Sequence, residues 1–158
     1  MNEPVTVHIL LETGRLRLRR FAADDADLLV ALDADPEVMR YITYGMPTPR
    51  SAYVETHLPR WLAIYQAQPG LGYFAAEHRD TGEFLGWFHL RDDRIEPEYV
   101  ELGYRFRRSA WGCGYATEGA RALLAHGFDG LGLARISART LLGNRASQHV
   151  MEKCGLRR

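Results

Sequence analysis

The sequence predicts an α/β fold with a mixed central sheet and helices on both faces. Three observations point to it. Period-two apolar runs crowd the middle of the chain, with turn residues between them. Helical stripes lie before and after that block. Toward the C-terminus a strand, a helix, a strand and a helix alternate, the order that builds a crossover connection. The expected element order is β-α-α-β-β-β-α-β-α.

Each element follows from local pattern. "RLRLRR" (residues 15–20) puts Leu16 and Leu18 on one face and Arg15, Arg17 and Arg19 on the other. A half-buried strand with solvated arginines is preferred over a basic stripe for nucleic acid. Asp24 and Asp25 suit a helix N-terminus, and Leu28, Leu29 and Leu32 form the stripe of that helix. Pro36 restarts a short helix. In "MPTPRSAYVETHLPRWLAIYQAQPG", Thr48 is the expected N-cap with Pro49 at the first helical position. Pro59 should kink or divide this helix, and Pro69-Gly70 should end it.

Two strands, "YFAAEHR" and "EFLGWFHLR", flank the turn Asp80-Thr81-Gly82. "YVELGYRF" (99–106) is the next strand. Its Val100, Leu102, Tyr104 and Phe106 share one face; Tyr99, Glu101, Gly103 and Arg105 share the other. Ala116, Ala120, Leu123, Leu124 and Phe128 give a helical stripe. "LARISARTL" (133–141) is read as a strand, and "NRASQHVMEKC" as a last helix closed by Gly155.

Composition bounds the rest. A chain of 158 residues, 46% hydrophobic, is one domain with a substantial core. Twenty basic residues balance twenty acidic ones, so nothing selects nucleic acid or an anionic membrane as partner. The two cysteines, Cys113 and Cys154, make no disulfide framework; a reducing cytoplasm is expected. The start has no basic n-region, and no apolar window approaches about 18 residues.

The joint between the third block of strands and its helix reads WGCGYA, 111–116. Glycines just before a helix N-terminus let backbone N–H groups approach a bulky anion, so strand–Gly-x-Gly–helix is a natural diphosphate cradle. A tight turn that needs glycine for geometry alone is the competing reading. Neither GxxxxGK[ST] nor GxGxxG is present.

"ELGYRFRRSAWGCGYATEGARALLAHGF", followed by "LARISARTLLGNRASQHVMEKCGLRR", resembles the core of the GNAT superfamily of acyl-CoA-dependent N-acyltransferases, and most of all its RimJ/RimL type. "LETGRLRLRRFAADDADLLVALDADPEVMRYI" resembles that type's opening. The resemblance implies the GNAT fold and acetyl-CoA as co-substrate. It implies that Trp111, Gly112, Cys113, Gly114, Tyr115 and Ala116 hold the coenzyme diphosphate, with Arg107 and Arg108 adding charge. It implies that pantetheine pairs with Leu102, Gly103 and Tyr104, that Asn144 bonds it, and that a Leu102 or neighbouring N–H holds the oxyanion. Asn144 is also a natural N-cap. The family continues past the EKxG helix with two more strands. This chain stops at Arg158, so those strands are expected to be missing, leaving the strand at 135–140 as an edge. A homodimer is one way to cover such an edge.

Acyl transfer to an amine needs a base, an oxyanion site and a proton for the thiolate. Glu101 is the candidate base, acting through a water with burial raising its pKa; a salt-bridged strand carboxylate is the alternative. Met151 stands where many relatives carry a tyrosine acid, so Ser147 is the candidate acid, unless its hydroxyl only bonds its own helix. Cys113 has no partner that sequence places nearby, and the six histidines show no zinc spacing, so no metal is expected. Tyr41, Tyr44, Trp87 and His89 are candidates for the acceptor cleft, or else ordinary core aromatics. The expected acceptor is an amine, either a protein N-terminus or a small molecule. A coenzyme-binding module without catalysis, and an assembly protein that pairs sheet edges, are the alternatives.

Overall fold

The computed structural model describes residues 6–158. Among them six strands form one sheet in sequential order: β1 (Ile9–Glu12), β2 (Leu16–Arg20), β3 (Gly72–His78), β4 (Phe84–Asp92), β5 (Val100–Phe106) and β6 (Ile136–Ser137). Neighbours are antiparallel up to β5, and β6 runs parallel to β5. The helices are α1 (Ala26–Asp33), α2 (Pro36–Met39), α3 (Arg50–Ala52), α4 (Leu58–Ala67), α5 (Tyr115–Ala125) and α6 (Arg145–Lys153). None is long and apolar enough to cross a membrane.

The sheet divides two apolar layers. On one face Phe21, Leu29, Leu32, Trp61, Tyr73 and Trp87 pack beneath α1, α2 and α4. On the other, Phe88, Leu90, Leu102 and Phe106 pack against Ala120 and Leu123 of α5. Each fully buried Leu or Phe contributes about 1.5–3 kcal/mol. A Cβ at Gly119 would overlap the Phe88 ring, so the missing side chain lets α5 lie close to β4. The expected two-faced pattern of β5 holds: Val100, Leu102 and Phe106 are buried toward α5, while Glu101 and Arg105 bond partners on the α1–α4 side.

Four expectations need correction. The arginine face of β2 is paired rather than solvated: Arg19 bonds Asp25 at 2.8 Å and Glu77 at 2.5 Å, and Arg15 bonds Glu118 at 2.8 Å. Asp24 and Asp25 do stand at a helix N-terminus as expected, in a short 3-10 turn that runs into α1 with Asp25 at the N-cap. Thr48 does not cap a helix; Pro49 occupies that position, and the Thr48 hydroxyl donates to Asp33 Oδ2 at 2.6 Å. A wholly buried carboxylate needs donors more than a surface helix end does. Phe128 falls outside α5, in a wide turn at His126–Gly130, and is half-exposed. The run 133–141 yields only Ile136–Ser137 as strand, because β5 and β6 are in register only at Val100↔Ile136 and Glu101↔Ser137 before they part. Pro59, by contrast, divides its helix as expected. A wide turn at Tyr53–His57 precedes it, with Leu58 N–H donating to Tyr53 O, and the proline enters α4 where the ladder has changed register.

Candidate active site

β5 leads through a short 3-10 turn, Arg108–Ala110, into the glycine joint and then α5. Gly112 (φ 73°) and Gly114 (φ 80°) are both left-handed, a conformation that costs an L-residue about 1–2 kcal/mol. A Cβ at Gly112 would meet nothing within 4 Å, so the loop has an open side. The N–H groups of residues 112–117 donate no hydrogen bond among the described residues. With the positive end of an 11-residue helix behind them, they present a row of unpaired donors in an electropositive setting. Trp111, expected to offer its N–H to the diphosphate, donates that group to Arg108 O at 3.0 Å, and its Nε1 donates to Phe106 O at 2.9 Å. Cys113 is an exposed free thiol.

Arg107 and Arg108 are each committed to a carboxylate: Arg107 to Glu83 at 3.3 Å, and Arg108 to Asp35 through two nitrogens. The guanidinium that reaches the loop is Arg15, which donates from Nη1 to Cys113 O at 2.8 Å.

From the loop, the free edge of β5 runs back toward Glu101. Asp93 N–H donates to Tyr99 O, and Arg107 N–H donates to Leu85 O, both at 2.9 Å. Alternate residues of an antiparallel strand bond the same neighbour, so odd-numbered residues of β5 serve β4. Even-numbered ones, Leu102 and Tyr104 among them, turn their backbone groups the other way, toward β6. Beyond Glu101 no β6 residue lies opposite, which leaves Tyr104 facing an open edge. Gly103 instead makes room on the far side, since a Cβ there would overlap the His89 ring. The Tyr104 hydroxyl lies 3.0 Å from Ser147 Oγ and donates to Ser147 O at 3.1 Å. Burial pushes the Tyr104 phenol up, so it stays protonated. Asn144 caps α6, its Oδ1 accepting from Ser147 N–H at 3.2 Å.

Glu101 stands on the opposite face, with a side chain 14% exposed. Its Oε1 lies 3.0 Å from both His89 Nε2 and Arg91 Nη2, and its Oε2 lies 3.5 Å from Arg139 Nε. The expectation that burial raises its pKa is overturned. The hydrogen bond from His89 holds it below the usual carboxylate range, outweighing burial, with the Arg91 charge adding to the effect. Burial lowers His89 to about 4 despite Glu101, so the ring is neutral near pH 7. Donation from Nε2 to Glu101 then leaves Nδ1 as a buried acceptor without a partner among the described residues.

The family described as Acetyltransferase (GNAT) domain matches residues 15–157. The chain belongs to the GNAT acetyltransferase family. It is 34% identical to FsC-acetyl coenzyme A-N(2)-transacetylase of Aspergillus fumigatus over 92% of its own length. It spans only 64% of that relative. Uncharacterized protein YkkB of Bacillus subtilis is 38% identical over 92% of this chain and 84% of its own length. Among solved structures, an acetyltransferase from Agrobacterium tumefaciens is 26% identical with a TM-score of 0.79, covering 98% of this chain and 86% of that one.

In this GNAT chain the acceptor-side candidates do not all assemble. Trp87 and His89 stack with ring centroids 5.7 Å apart, in a wall completed by Tyr73 and Trp61. Tyr44 lies outside it, 93% exposed with φ 58°, and Tyr41 sits beside Gly143. Sequence reasoning missed Trp61, Tyr73, Arg91, Arg139 and Asp93. Asp93 accepts from Ser137 Oγ at 2.7 Å and Arg139 Nη2 at 2.6 Å, which ties β6 to the end of β4. Burial opposes its ionisation, but donors led by Ile95 N–H bring it to about 2. Ser137 and Arg139 stand two residues apart in the run read as a strand, and that spacing was the available signal for their shared partner.

Proposed function

We propose that this chain is an acetyl-CoA-dependent N-acetyltransferase that passes the acetyl group directly to a primary amine in a ternary complex. The observation that carries this is the continuity of an open glycine cradle with a free strand edge that ends beside Glu101. The name of the Aspergillus relative supports acetyl-CoA as donor.

In this reading the N–H groups of residues 112–117 hold the diphosphate. The open edge at Tyr104 pairs with pantetheine, and a backbone N–H there stabilises the oxyanion. Glu101 relays the amine proton through a water. Its depressed pKa makes it a weak base, so the enzyme works best on amines already partly neutral, such as a protein α-amine. The Tyr104–Ser147 hydroxyl pair, on the opposite face, returns a proton to the departing thiolate. The RimJ/RimL-type motifs favour a protein N-terminus, with small-molecule amines as the alternative. The free thiols of Cys113 and Cys154 suit a reducing compartment such as the cytoplasm.

The test is calorimetric titration of acetyl-CoA, followed by an amine screen read by thiol release. Tight binding that Gly112→Val or Gly114→Val abolishes in folded protein is expected. Unchanged affinity in those variants would refute the cradle.

A further inference from the structure

We propose that Arg15, Glu118 and Thr13 form a clamp that presets the coenzyme loop, with Arg15 as the positioning residue; this rests on the acyltransferase reading above. Glu118 lies in the first turns of α5, and both its oxygens point to the β1–β2 connection. Oε2 accepts from Thr13 Oγ1 at 2.5 Å and from Arg15 N–H at 3.0 Å, while Oε1 accepts from Arg15 Nε at 2.8 Å. The other end of the same guanidinium donates from Nη1 to Cys113 O. Its carbon lies 4.5 Å from the centroid of the Tyr115 ring. One side chain thus grips the loop and the helix that follows it, and both are referred to β2.

Peptide geometry says what the grip does. In a trans peptide the carbonyl and the following N–H point in opposite directions. Arg15 draws the Cys113 carbonyl toward itself, so the Gly114 N–H is turned away from Arg15, where it donates to nothing among the described residues. Two left-handed glycines make this stretch easy to flip, and a loop that flips must be ordered again each time an anion binds. A guanidinium reaches both acceptors at once through its rigid fork; an ammonium offers a single point.

The test compares acetyl-CoA with S-acetylpantetheine, a donor without the diphosphate, in the wild type, Arg15→Gln, Arg15→Lys and Thr13→Val. In Arg15→Gln, kcat/KM for acetyl-CoA should fall at least about tenfold more than for S-acetylpantetheine, or ~1.4 kcal/mol. Arg15→Lys should recover part of the loss. Thr13→Val keeps the guanidinium and should show a smaller loss in the same direction. Equal losses with both donors would mean a merely structural role and overturn the clamp, as would an unchanged preference. A wild type with no preference for acetyl-CoA would remove the cradle reading and the clamp together. A wild type and Arg15→Gln with the same clear preference would remove the clamp alone.

Discussion

Replacing Asp33 by alanine should be among the most damaging changes outside the glycine loop. The carboxylate is wholly buried and accepts from Thr48 at 2.6 Å, from Arg105 Nη1 at 2.8 Å and from the Tyr53 hydroxyl. Burial pushes the Tyr53 phenol up, so it remains a donor. Removing Asp33 strands the Arg105 guanidinium, whose side chain is only 15% exposed. Breaking a buried pair on one side costs about 3–5 kcal/mol. In a chain of this size each kcal/mol shifts the melting temperature by about 2–4 °C, so the melt should fall by roughly 6–20 °C. Urea unfolding at pH 7 gives the same quantity independently. The double variant Asp33→Leu/Arg105→Met removes both charges and should recover most of the loss. A cost below about 1 kcal/mol for Asp33→Ala, or a double variant worse than the single, would refute the argument.

Two further outcomes follow from the face that carries His89 and Glu101. Gly103→Ala forces the His89 ring aside and should cost about 1–3 kcal/mol, with His89→Ala in the same chain restoring most of it; chemical denaturation of both variants is the check. His89 titrates near 4 when folded, against about 6.5 in an unfolded chain. Between those values the unfolded chain binds more protons, so stability should fall as pH drops from about 6.5 to 4, by up to about 3 kcal/mol. His89→Gln should flatten that limb in stability measured at pH 7 and pH 4.5.

The central strands were legible because alternation, turn glycines and a two-faced β5 all agree on one register. The turn at Gly112 and Gly114 was legible for a related reason: few backbones other than a positive-φ turn need two glycines one residue apart. The short β1 was not, since "HILLE" shows no alternation and becomes a strand only by pairing with β2 across a bulge. The extent of β6 was not, because alternation reports half-burial, whereas a strand also needs a partner, and β5 supplies one over two residues. Arg15 was legible as a strand residue but not as a loop anchor. Its partner Glu118 is more than a hundred residues away, and only the folded sheet brings them together.

A single strand separates the glycine cradle and Tyr104–Ser147 from the wall of Trp87, His89 and Glu101, and its residues alternate between the two sides. Under the proposed function, exchange of an odd-numbered β5 residue alters what the aromatic wall admits, while an even-numbered one alters the donor side. On that reading mutational drift retunes the acceptor pocket without renegotiating the coenzyme, and two lineages sharing this scaffold diverge in what they modify while drawing on one common source of acyl groups.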